Sequence, residues 1–166
     1  MWYNMKSVET RSDCMTRAEL AEKYFNDGLA CAQAVALAFS DLTNISELDL
    51  GKLMLPLGGG LGRLRLTCGA VNAFSIIVGL VFSEDGFTDE NKDDIYERVR
   101  VLVERFKNKN STIICKDLLE KASVDVEIGG TPEKRSDEYY RKRPCGKIVY
   151  SAAYILEEYL REQKVI

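Results

Sequence analysis

Between Ala70 and Phe82 the chain carries thirteen residues, of which only Asn72 and Ser75 are polar. At about 1.5 Å of rise per residue such a run is too short to cross a bilayer. It predicts the central buried helix of the fold. Whatever folds around it must consist of amphipathic partners, and the rest of the sequence supplies them at helical spacing.

"TRAELAEKYF" opens with Thr16 and has Glu19 three residues on, the pattern of a capping box, and Leu20, Ala21, Tyr24 and Phe25 form its apolar side. Gly28 ends that helix, and "ACAQAVALAF" starts the next with Cys31, Val35 and Ala38 on one face. Ser46 is a cap for "ELDLGKLMLP", which Pro56 interrupts or ends. After the turn "GGGLGR", Thr67 is the expected N-cap of the buried helix from Cys68 to about Phe82. From Thr88 to about Lys107, Ile95, Val99, Leu102 and Phe106 recur at spacings of four, three and four. "NKNS" is expected to break that helix and Ser111 to cap a short one, placing Cys115 about one turn inside it.

Residues 121–142 lack regularity and predict a long surface loop. Pro144 suits the first position of a last helix whose stripe is Ile148, Ala152, Ile155 and Tyr159. Tyr139, Tyr140, Tyr150, Tyr154 and Tyr159 cluster late, and the four-residue spacing of Tyr150 and Tyr154 is explained by helical packing. No strand alternation exceeds "VDVEI". The expected fold class is all-α, a single-domain bundle of about seven helices over residues 1–166, with residues 1–15 a flexible lead-in.

A net charge of −3 gives no electrostatic reason to expect nucleic acid or an anionic membrane as partner. The opening "MWYNMKSVETRSDC" has no apolar core of a signal peptide, and no segment suits membrane insertion, so the expected compartment is the cytoplasm. Stable structural disulfides are uncommon there. The chain contains no histidine, which removes the commonest general base, Cys-His and Ser-His pairs, and the usual imidazole ligand of haem or zinc. Chemistry must therefore run on sulfur, carboxylate, lysine, tyrosine or a borrowed cofactor.

Sulfur is the best supplied of these. Cys31, Cys68 and Cys145 fall in the first turns of predicted helices, and Cys115 lies near the start of another. Helix N-termini carry partial positive charge and unpaired N–H donors that favour anions such as a thiolate. Basic residues flank three of the four: Arg63 and Arg65 before Cys68, Lys116 after Cys115, Arg141 and Arg143 before Cys145. The gaps are 37, 47 and 30 residues, so no C-x-x-C unit exists and any site must be assembled by tertiary structure. Four thiolates suit an iron–sulfur cluster, a zinc ion, or two redox disulfides. Core filling by a small apolar side chain is the simpler explanation for any one of them. Cys14 sits in a polar segment and is read as incidental.

The turn "GGGLGR" is neither a Walker A loop nor a dinucleotide fingerprint, because no Gly-Lys-Ser/Thr follows and no strand precedes it. Gly59 and Gly60 are expected to let backbones pass closely, or to form an anion nest beside a cluster together with Gly69, Arg63 and Arg65.

Together these segments resemble a bacterial and archaeal family of redox-active proteins known by four cysteines in the pattern C-GCAxxG-C-C. "FNDGLACAQAVALAF" is similar to its first-cysteine segment, "GGGLGRLRLTCGAVNA" to its glycine turn and Cys-Gly-Ala-x-x-Gly motif, and "STIICKDLL" and "RPCGKIVYSAAYIL" to the third and fourth. The motif's last glycine is Ala73 here, a mild change if that glycine serves helix packing. Cys14 matches nothing in the pattern. A related pattern occurs in split-Soret cytochromes; with no C-x-x-C-H and no histidine, no haem carries over, whereas the cluster part does. The resemblance implies redox or cluster-binding activity.

The expected function is therefore a redox protein with an iron–sulfur cluster or metal on Cys31, Cys68, Cys115 and Cys145, for electron transfer or redox sensing with an unidentified partner protein. The alternatives are a thiol–disulfide protein using the same residues as its catalytic set, and a helical interaction module with structural cysteines or zinc. The apolar "MWY" start and the late tyrosines are the surfaces offered for a homodimer.

Overall fold

The structure, a computed structural model, describes residues 15–83, 86 and 88–166. Most of the expected lead-in, including Cys14 and the "MWY" start, lies outside the described residues. The chain order is α1 (Arg17–Asn26), α2 (Cys31–Leu37), α3 (Glu47–Met54), α4 (Gly69–Phe82), α5 (Asp89–Asn110), α6 (Cys115–Glu120), α7 (Asp137–Lys142) and α8 (Cys145–Glu162). Short 3-10 turns follow α2 at Ser40–Leu42 and α3 at Leu55–Leu57. The described residues thus form an all-α fold of eight helices, one more than the expected seven, and their sole extended pairing is an antiparallel bridge of Thr67 with Ile114.

Local chemistry explains most helix ends. Thr16 caps α1 through the Glu19 N–H while the Glu19 carboxylate accepts from the Thr16 N–H at 2.8 Å, the reciprocal box expected from sequence. Ser46 caps α3 and Thr88 caps α5 by the same side-chain acceptance. Pro56 falls in the 3-10 turn that terminates α3. Four expectations need correction. Cys68, not Thr67, is the N-cap of α4, since Thr67 is held in the bridge. Pro144 is the N-cap of α8, and Cys145 its first residue. Ser111 does not cap a following helix: α5 runs on to Asn110, and Ser111 closes it in a left-handed conformation at φ 77°. Finally, 121–142 is not loop throughout, because Ser136 caps the short helix α7 within it.

The apolar helix α4 packs on α2, α5 and α8, and α8 in turn covers α1, α2 and α5. Ala70, Ala73, Phe74, Ile77 and Val78 of α4 are fully buried. Helix α2 is almost wholly alanine and valine inside the bundle, so its backbone comes close to α4. On α5, Leu102 and Phe106 carry the buried part of the stripe, with the Phe106 ring 6.2 Å from that of Phe74. Arg105 clamps α5 to α8 through two bonds to Glu162, at 2.9 and 2.7 Å. Tyr150 and Tyr154 stack on one exposed face of α8, centroids 6.4 Å apart, as helical packing predicts. Among the described residues no helix is long and apolar enough to cross a membrane.

Phe74 lies where α4, α5 and the rest of the core meet, so truncating it leaves a cavity its rigid neighbours cannot fill. Phe74→Ala is expected to cost about 3–5 kcal/mol, read as a lowered urea midpoint. A change under about 1 kcal/mol would show that this helix is not the buried centre.

Candidate functional site: four cysteines around one cavity

Two close approaches and one backbone clasp gather the cysteines. Leu66 accepts the Cys115 N–H at 2.7 Å, Arg65 accepts the Lys116 N–H at 3.1 Å, and Ile113 accepts the Cys68 N–H at 2.8 Å. The chain before α4 and the chain before α6 are thereby joined, with Cys68 and Cys115 side by side. Cys115 is the first residue of α6 with Ile114 as its N-cap, not one turn inside as expected, so all four cysteines stand at helix starts. Gly69 then brings Cys68 to Cys31: a Cβ there would lie 2.9 Å from the Leu57 carbonyl oxygen and 3.2 Å from the Ala32 nitrogen. Gly60, at φ +72°, does the same for Cys115, whose Cβ would stand 2.8 Å from a Cβ built at that position.

The result is one cavity of ≈ 20 Å³ lined by Cys31, Cys68, Cys115, Cys145, Leu118, Leu119 and Ile148. This is about the space of a single water molecule. Cys68 and Cys115 are buried, whereas Cys31 and Cys145 are half-buried and form its outer edge. All four are free thiols. Among the described residues, no three of His, Cys, Asp or Glu stand in an arrangement that could hold a metal ion. The four cysteines line one cavity, and as they stand they do not form a ligand set for a metal ion.

The electrostatics oppose the sequence expectation. Desolvation raises the Cys68 thiol well above its ordinary range, and neighbouring Cys31 and Cys115 add to the rise. Burial pushes Cys145 up to about 12, again with Cys31 and Cys115 adding. Cys115 is also raised, by burial first and by Cys31 second, although Arg65 beside it and then Arg143 pull it back. Helix N-termini and arginines are present as predicted, yet loss of water outweighs them. Cys31 raises each of the other three, so it stands within electrostatic reach of the whole set.

The two flanking arginines part company. Arg63 turns away: its Nε donates to the Gly129 carbonyl at 2.7 Å and its Nη2 to Glu127 at 3.2 Å. Arg65 is buried, its Nε donating to the Glu127 carbonyl at 2.9 Å while its guanidinium lies beside Cys115. Gly59 folds against Arg63, whose Cγ would lie 3.0 Å from a Cβ at that glycine. Leu61, Arg63 and Arg65 all have positive φ, 66°, 66° and 61°, in this turn. Each such non-glycine residue costs on the order of 1–3 kcal/mol, tolerated because the clasp and the 127–129 bonds hold the turn at both ends.

On the far side, sequence reasoning named Arg143 as a flank of Cys145 and Tyr139 only as one of a tyrosine cluster, and it missed Arg135. Tyr139 is raised by burial first, with Arg135 and Arg143 pulling back and Cys145 and Cys31 raising it further, so it stands within electrostatic reach of both cysteines. Arg135 lies 4.6 Å and Arg143 4.8 Å from the Tyr139 ring, and Arg143 is ion-paired with Glu133. The signal was present in "RSDEYYRKRP", where arginines bracket adjacent tyrosines.

Raised thiol values tie stability to pH. The folded protein keeps protons that the unfolded chain releases from about pH 8.5. Stability of the metal-free protein is therefore full below about pH 8.5 and falls as pH climbs toward the folded values. Urea midpoints should drop steadily above that point, and Cys145→Ser should flatten the slope. An identical slope in the variant would contradict the burial of that thiol.

No curated protein and no solved structure matches the chain, so the likeness to split-Soret cytochromes gains no support. The model of a family described as "putative redox-active protein (C_GCAxxG_C_C)" matches residues 29–159, a span that contains Cys31, Cys68, Cys115 and Cys145 and leaves out Cys14. With most of its length matched, this chain belongs to the C_GCAxxG_C_C family.

Proposed function

We propose that the protein is a redox carrier or sensor whose four cysteines ligate an iron–sulfur cluster. The observation that carries this is the convergence of Cys31, Cys68, Cys115 and Cys145, from four separate helix starts, on one cavity whose other walls are aliphatic. A donor set of sulfur alone suits iron–sulfur or zinc and excludes the oxygen-rich sites of hard cations. Buried thiols with raised values are poor nucleophiles, which disfavours simple thiol–disulfide exchange. A thiolate-bound metal ion overcomes that barrier, since coordination deprotonates the thiol outright. When bound, a cluster supplies reversible one-electron transfer at a potential set by charge, hydrogen bonds and exposure.

The chain's own residues then divide the work. Cys68 and Cys115, held by the clasp, are the fixed inner ligands, and Leu118, Leu119 and Ile148 keep water from them. Cys31 and Cys145, half-buried, form the edge through which an electron-transfer partner has the shortest approach. The Arg135 and Arg143 side chains place positive charge beside Cys145, offsetting part of the negative charge of four thiolates.

Anaerobic loading with iron and sulfide should give a brown protein with more than one iron per chain. Serine at Cys31, Cys68, Cys115 or Cys145 should each lower iron retention at least several-fold. A colourless product that binds zinc would support the structural-metal alternative. A metal-free product that loses two or four titratable thiols on oxidation would support the disulfide one. Either result overturns the cluster.

A further inference from the structure

Among the described residues, one buried side-chain nitrogen or oxygen has no hydrogen-bond partner, and it is Nη2 of Arg65. Leaving a charged donor unmade costs more than leaving a neutral one, so such a group points to a missing acceptor. Arg65 is 5 % exposed, and its orientation is fixed at two points. Its Nε is held by the Glu127 carbonyl, and its backbone is held between the Gly59 carbonyl, which accepts its N–H at 3.1 Å, and the Lys116 N–H, which its own carbonyl accepts. The guanidinium therefore cannot swing out to solvent without breaking its bond to the Glu127 carbonyl. It lies close enough to Cys115, one of the cavity's walls, for hydrogen bonding to that sulfur to act against the rise that burial causes there, while Nη2 itself is left without a partner. Carboxylates do not satisfy it: Glu127 offers only its backbone oxygen to Arg65, while its side chain takes Arg63.

We propose that Arg65 is the positioning residue of the four-cysteine centre, its unpartnered Nη2 donating a charge-assisted hydrogen bond to an anionic sulfur of the bound group on the Cys115 side. This rests on the cluster reading above and adds what that reading leaves open, namely which residue stabilises the centre's charge from inside. A fixed cation at one sulfur favours the more negative, reduced form, so it raises the reduction potential. It also couples loading to the 127–129 segment, which is anchored to the same arginine. Arg63 contributes to that anchoring, directing its Nε to Gly129 and its Nη2 to Glu127.

The test compares wild type, Arg65→Met and Arg65→Lys, each metal-free and each reconstituted anaerobically with iron and sulfide. Three readouts are taken: melting temperature without metal, the rise in melting temperature on loading, and the midpoint potential by dye-equilibrated titration. In Arg65→Met the rise on loading is expected to shrink, iron release to a chelator to quicken several-fold, and the potential to move negative. Arg65→Lys, which keeps the charge but not the fork, is expected to fall between the two. If Arg65 merely tethers residue 127, Arg65→Met will melt lower without metal while the rise on loading and the potential stay at wild-type values; that overturns the proposal. Should Arg65→Met fail to fold, a wild-type potential in Arg65→Lys overturns it equally. Wild type that takes up no iron overturns the cluster reading and this role together, whereas wild type that loads normally beside unaltered variants removes the role of Arg65 alone.

Discussion

The backbone clasp between residues 65–68 and 113–116 is the constraint on which the site depends. Three hydrogen bonds join a stretch that precedes α4 to one that precedes α6, and each of the two cysteines donates one of them from its own N–H. Within a helical bundle the natural contacts run between helix faces, which would leave helix starts scattered at the ends. The clasp instead fixes two starts together, and Gly69 lets a third, that of α2, close on them. Helix α8 adds the fourth because Pro144 opens it at the pocket edge. The left-handed residues of the glycine turn follow from the same demand: the chain must reverse sharply after α3 and still arrive antiparallel to residues 113–116.

That geometry sets a conflict between solvation and charge. Helix N-terminal N–H groups and arginines favour thiolates, and at Cys68 the Ala70 N–H does pull the value down. Taking the sulfurs out of water acts the other way and is the largest cause at Cys68, Cys115 and Cys145. Four neighbouring thiolates without a counter-charge would also repel one another. Burial thus favours the protonated thiols of Cys68, Cys115 and Cys145. Arg65 and Arg143 beside Cys115, and Arg143 and Arg135 beside Cys145, act against burial without overcoming it.

The helices were legible because their signals are local. Thr16 with Glu19, Ser46 and Thr88 each announce a helix through one side-chain acceptor, and the apolar run of α4 is buried as far as Val78, whereas Leu80 is exposed and Val81 and Phe82 are partly buried. One difference has a tertiary cause: Ser111, expected to start a helix, ends one. Ser111 is pulled to positive φ because α5 extends to Asn110 against α8, where the Asn110 side chain donates to Ser151 at 3.0 Å. Helix α7 escaped notice since six mostly exposed residues carry no apolar stripe, although the Ser136 cap and the acid-to-base gradient over "DEYYRK" were there to read. The cysteines could be singled out by helix position and basic flanks. A shared site was expected of them, but the means of bringing them together could not be read, because it depends on the clasp and on glycines whose neighbours lie far away in sequence. Arg63 and Arg65 look alike in the sequence, and only the turn's alternation sends one to Glu127 and the other to Cys115.

X-ray absorption at the iron edge of the anaerobically loaded protein tests most directly whether the four sulfurs form one centre. The account predicts a first shell of sulfur alone, at about 2.3 Å as for metal–thiolate bonds, with a second iron visible beyond it, and loss of the shell in Cys68→Ser. A shell of oxygen or nitrogen, or an iron signal unchanged by that substitution, would contradict it.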